Sequence, residues 1–131
     1  MPLLSLETPE EIHVLWRLMF DAKFQTALRD KDLWSSPWVH ELARKIDEAR
    51  LRAYEVEGKP QYAERHLKWK RSFAENPLVS EATSTRLKEM IRTDWWKSQT
   101  AGAQLEFVRG CLAPYEAEDD ELVNLIRAAE A

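Results

Sequence analysis

Only three glycines occur in 131 residues, and that scarcity constrains the fold more than any other feature. Ala, Leu, Glu, Lys and Arg dominate in their place, so helix is favoured along nearly the whole chain. No stretch alternates apolar and polar residues as a half-buried strand does. The expected architecture is all-α: an irregular or orthogonal bundle of five to six helices, without a sheet, in a single domain over residues 1–131. Thr8, Pro9 and Glu11 open the first helix as a capping box. Ile12, Leu15, Trp16, Met19, Phe20 and Ala27 form its stripe, while Val14, Leu18 and Phe24 lie off it. Such a helix is either central or keeps one face for another chain.

A polar connection, 29–37, leads to Ser36-Pro37, which opens the second helix. Its stripe is Val39, Leu42, Ile46, Ala49, Ala53 and Val56, at helical spacing throughout. Gly58 is placed as its stop. A third helix over 60–75 carries Tyr62, His66, Trp69 and Phe73, and Asn76-Pro77 ends it. A fourth over 80–97 turns Leu87, Met90, Ile91 and Trp95 inward, with Asp94 on the same stripe. Leu105, Val108 and Leu112 mark a fifth, closed by Gly110 or Pro114. Leu122, Leu125, Ile126 and Ala129 mark a last one, behind an acidic run that suits a helix N-terminus.

The composition argues against several functions. Net charge is −4, which disfavours nucleic acid, whose binding depends on neutralising phosphates. Cys111 is the single cysteine, and no Cys or His spacing matches a zinc site. Residues 1–10 lack the basic and apolar regions of a signal peptide, and no apolar run reaches membrane-spanning length. A cytoplasmic chain without a membrane partner is the expectation.

Catalytic chemistry finds little purchase. Glu10 and His13 have the Glu-x-x-His spacing of di-iron bundles, but a second pair and further carboxylates are missing. Cys111 lies on an apolar helix side, as a buried structural thiol does. Arg65, Lys68, Lys70 and Arg71 surround Trp69, yet they spread around the helix like solvating cations. No catalytic residue, metal ligand or cofactor is therefore assigned to this chain. Six tryptophans suit cores and protein interfaces alike. In Trp95-Trp96 the two indoles point about 100° apart, which leaves Trp96 outward. Leu18, Trp34, Trp38 and Trp96 are the candidate partner-facing residues.

A resemblance extends loosely over residues 12–90. Trp34 and Trp38 precede Leu42, Ile46 and Ala49 at core positions. Tyr62, His66, Leu67 and Phe73 follow on the next helix, and Leu78-Val79-Ser80 restarts the chain. This resembles the helical N-terminal region of nitrile hydratase β subunits and related accessory proteins. Departures are Ala63 for a second tyrosine, His66 for a tryptophan, and one extra residue between the tryptophans. The resemblance implies a non-catalytic subunit or accessory protein of a lyase that hydrates nitriles to amides. The iron or cobalt would sit in a Cys-x-x-Cys-Ser-Cys claw on a partner α subunit, with none on this chain. Hetero-oligomer formation is implied; whether the chain forms a homodimer when alone is left open by the sequence. Two other readings stand beside it. One is a free-standing immunity- or antitoxin-type inhibitor, whose acidity suits a basic partner. The other is a small-molecule bundle with a pocket lined by Trp16, Phe20 and Trp69.

Overall fold

Most of the helices begin where a side chain can satisfy their first free amides, and those starts divide the chain. The computed structural model describes residues 4–24 and 34–131. Ala27 and the connection at 29–33 lie outside them. Helix α1, Pro9–Phe24, starts at Thr8, whose Oγ1 accepts the Glu11 amide while donating to the Glu11 carboxylate. Helix α2, Pro37–Val56, is capped by Ser36, and α3, Pro60–Trp69, follows Gly58. Gly58 has φ +70°, a left-handed conformation that glycine adopts without steric cost.

A 3-10 turn, Phe73–Glu75, leads to α4, Pro77–Met90, whose first amides bond to Asn76. Helix α5, Asp94–Ser98, is capped by Thr93, and α6, Ala101–Leu112, by Thr100. Helix α7, Asp119–Glu130, begins with the Glu118 amide donating to the Glu121 carboxylate. Four helices thus carry proline at the first position, where its missing N–H is harmless. The fold is all-α, with seven α-helices and no strand among the described residues.

Helix α1 lies along α2 in the broadest helix pairing, and α3 packs on α2 in turn. Helices α4 and α6 pack against α7. One apolar cluster gathers Trp16, Met19, Ala43 and Ile46 between α1 and α2. A larger one joins Phe24, Leu87, Trp96, Leu112 and Leu122. Phe20 and Trp69 touch both clusters. Trp16 and Phe20 stack at 5.1 Å, and Trp69 meets Tyr115 at 4.2 Å. Trp16, Phe20 and Trp69 therefore fill one another's space as an aromatic seam.

Three sequence expectations change. The stripe on α2 is only half used: Ile46 and Ala53 are buried, but Leu42 and Val56 are exposed. Packing rotates α2 so that the side of His40, Ala43 and Asp47 turns inward. The third helix stops at Trp69, so Phe73 reaches the core from the 3-10 turn instead. The fourth helix is two. The chain turns after Met90, and Thr93 starts α5 by accepting the Trp96 amide. That turn resets the helical phase. Trp96 is consequently buried and Trp95 is 47% exposed, the reverse of the sequence expectation. Asp94 also faces solvent. No helix among the described residues is long and apolar enough to cross a membrane.

Candidate functional site

A buried polar cluster centres on Asp47, which is 1% exposed. Helix α1 supplies Trp16, whose Nε1–H donates to Asp47 Oδ1 over 2.9 Å. Helix α3 supplies His66, with Nε2 2.6 Å from the same oxygen. Just past α3, the Lys70 ammonium lies 2.8 Å from Oδ2 and 3.1 Å from Glu116. The Lys70–Asp47 approach is off the hydrogen-bonding direction, so it acts as an ion pair. The Glu116 amide donates to the Lys70 carbonyl over 2.7 Å. Burial pushes the Asp47 carboxyl up, but the hydrogen bond from His66, the facing Lys70 ammonium and the hydrogen bond from Trp16 together outweigh it and hold it below its usual range. Burial lowers the Lys70 ammonium, and the carboxylates of Asp47 and Glu116 more than restore it. One carboxylate thereby ties α1, α2, α3 and the loop after α6. A polar recess of about 130 Å³ beside it is lined by Arg44, Glu48, Lys70 and Tyr115.

A second polar group sits where α1 ends against α6. The buried Lys23 ammonium donates to the carbonyls of Gly110, at 3.0 Å, and Ala113, at 2.7 Å. These lie at the C-terminal end of α6, where a cation complements the helix dipole. Burial nevertheless pushes Lys23 down to about 7. His40 is buried too, and its Nε2–H donates to the Trp34 carbonyl over 2.8 Å. Burial and the neighbouring Lys23 push His40 down to about 4. Burial raises the Cys111 thiol well above its usual range, so it stays protonated and unreactive. Gly110 lies within α6 and faces His40 closely. A methyl there would fall on the imidazole, 3.0 Å from Cε1 and closer still to Nδ1. Gly110→Ala is therefore expected to destabilise by about 1–3 kcal/mol through overpacking. Urea denaturation would measure it.

The candidate interface residues divide. Leu18 and Trp38 are exposed, whereas Trp34 and Trp96 are buried within the chain. Trp34 packs edge-on against Phe107 at 6.0 Å, and Trp96 packs edge-on against the same ring at 6.1 Å. Neither can face a partner. Tyr62 and His66 both turn toward α2: Tyr62 meets Tyr54 at 5.8 Å, and His66 bonds to Asp47. Tyr62 is partly exposed, Leu67 is exposed and Phe73 is buried. The two tryptophans sit at the opposite end of α2 from Tyr62, so these residues do not gather at one place. His13 pairs with Glu57 of α2 at 2.7 Å, not with Glu10. That hydrogen bond lowers the Glu57 carboxyl.

Sequence reasoning missed Asp47 and Lys23 and counted Lys70 among solvated cations. Asp47 directly follows Ile46, and Lys23 lies one turn beyond Met19. Position on the shoulder of an apolar stripe was the available signal. Among the described residues no group of three or more His, Cys, Asp or Glu is arranged to hold a metal ion. An open apolar cleft of about 460 Å³ lies elsewhere, between the start of α2 and the α4–α5 turn, with Pro37, Met90, Thr93, Trp95 and Phe107 around it. No protein-family model, curated protein or solved structure matches the chain at a significant level.

Proposed function

We propose that this chain is a non-catalytic helical binding partner that docks through the outer face of α1. The observation that carries this reading is the pair Val14 and Leu18, one turn apart, which are 57% and 62% exposed. The inward face of the same helix buries Trp16, Met19, Lys23 and Phe24. Exposed Arg17 and Asp21 lie beside the pair, giving an apolar centre with a charged rim, the usual anatomy of a protein interface. The Asp47 cluster fits a structural role within this reading, since its donors come from the helices it fastens.

The partner we propose is a nitrile hydratase-like α subunit that carries the metal in its cysteine claw. The sequence resemblance over residues 12–90 is what favours it. This chain would then cover part of the α subunit or assist its metal loading, while nitrile hydration proceeds on the partner.

Leu18→Asp tests the docking face. The variant should keep its helicity and lie within about 0.5 kcal/mol of the parent in stability, as exposed substitutions do. It should also lose co-purification with an α subunit bearing Cys-x-x-Cys-Ser-Cys. Loss of helicity, or capture as strong as the parent's, contradicts the proposal. Capture of a basic toxin through this face, with no α subunit bound, replaces the nitrile hydratase reading with the inhibitor one.

A further inference from the structure

Trp38 is 85% exposed, the highest value among the large hydrophobic side chains of the described residues. It sits in the first turn of α2, directly after Pro37, which lines the 460 Å³ cleft. Across that cleft stand Met90, Thr93, Trp95 and Phe107, and the rings of Trp95 and Phe107 meet at 5.0 Å. A bulky aromatic knob and an aromatic-walled hole therefore lie side by side on one surface. Consecutive helical residues point about 100° apart, and Trp38 remains exposed instead of filling its own hole.

We infer that two copies of the chain pair about a two-fold axis, each inserting Trp38 into the other's cleft between Pro37, Met90, Thr93, Trp95 and Phe107. Adjacent knob and hole are what an isologous interface requires, because one axis then forms both contacts together. Charge favours a second copy in spite of the net −4. Exposed Arg92 and Asp94, one of each sign, flank Thr93 at the cleft's edge. That pair carries no net charge, so two copies of this edge meet without a surplus of either sign. A buried indole removes roughly 150–250 Å² from water. Two of them with their linings fall at the low end of specific interfaces, below about 1,200 Å², so the pairing is weak and reversible. This surface is distinct from the outer face of α1.

Sedimentation velocity at roughly 10–500 μM, the range where a weak interface is read, tests the pairing. The parent's average mass should climb from 15.4 kDa toward twice that value. Trp38→Ala and Trp95→Arg should each remain monomeric throughout with unchanged circular dichroism; Trp95→Ala replaces the latter if arginine disturbs folding. Mixing Trp38→Ala with Trp95→Arg should restore partial association, because one intact knob then meets one intact hole. Leu18→Asp should associate like the parent, which separates this result from the docking proposal. A parent that stays monomeric, or self-association that survives Trp38→Ala, overturns the inference. So does a monomer whose Trp95 indole N–H resonance, identified by its loss in Trp95→Ala, shifts saturably with added toluene, which assigns the cleft to small aromatic molecules.

Discussion

Asp47→Ala is expected to cost about 3–5 kcal/mol, the range for breaking a buried ion pair by removing one partner. That approaches or exceeds half the stability of many domains of this size. The truncation leaves the Trp16 indole N–H and the His66 ring without their shared acceptor, and the Lys70 ammonium with Glu116 alone. A buried donor left unsatisfied loses its full hydration without recompense. Asp47→Asn should cost less, since an amide oxygen still accepts from Trp16, although the charge is lost and an NH2 donor replaces the oxygen that faces Lys70. Urea denaturation of both variants at neutral pH gives the order. A loss below about 1 kcal/mol for Asp47→Ala, the scale of one ordinary hydrogen bond, would mean that the cluster does not fasten the helices.

Stability is expected to rise by about 2–3 kcal/mol between pH 7 and pH 9, and Lys23→Met should flatten that rise. Burial lowers Lys23 from 10.5 to about 7. Above that point the folded chain has released the proton while the unfolded chain still holds it, so raising the pH favours folding. The limiting slope is about 1.4 kcal/mol per pH unit for one proton. A neutral amine still has two hydrogens for the carbonyls of Gly110 and Ala113, so the bonds persist. The window closes near pH 9.0, because an unfolded Cys111 ionises there while burial keeps the folded thiol protonated. On the acid side His40 acts in the same direction. Its folded value is about 4 against 6.5, so stability falls as pH drops through that interval. Thermal melts across the range check this, and an unchanged slope in Lys23→Met would assign the effect elsewhere.

The helix starts were legible because their signals are local. Thr8 with Glu11 and Ser36-Pro37 act on amides three residues away; Asn76-Pro77, read only as the end of the third helix, also starts α4 three residues before the expected 80 by accepting the Leu78 and Val79 amides. What was hidden depends on neighbours distant in sequence. Asp47 and Lys23 read as ordinary surface charges until α3 covers one and the end of α6 receives the other. Leu42 and Val56 fit the apolar stripe of α2, yet the packing of α1 and α3 turns them outward. The Trp95–Trp96 error had a readable antidote, since Thr93-Asp94 is a capping start that resets the phase. For the interface, spacing alone singled out Leu18 and Trp38 as well as Trp34 and Trp96, and only burial separates the two pairs.

Hydrogen–deuterium exchange of the chain, free and mixed with a claw-bearing α subunit, tests most directly whether it works by docking through α1. The account predicts slowed exchange within Pro9–Phe24, strongest around Val14 and Leu18, with α3 near His66 unchanged. Protection centred on Asp47, His66 and Lys70 with none on α1, or no protection anywhere, would contradict it.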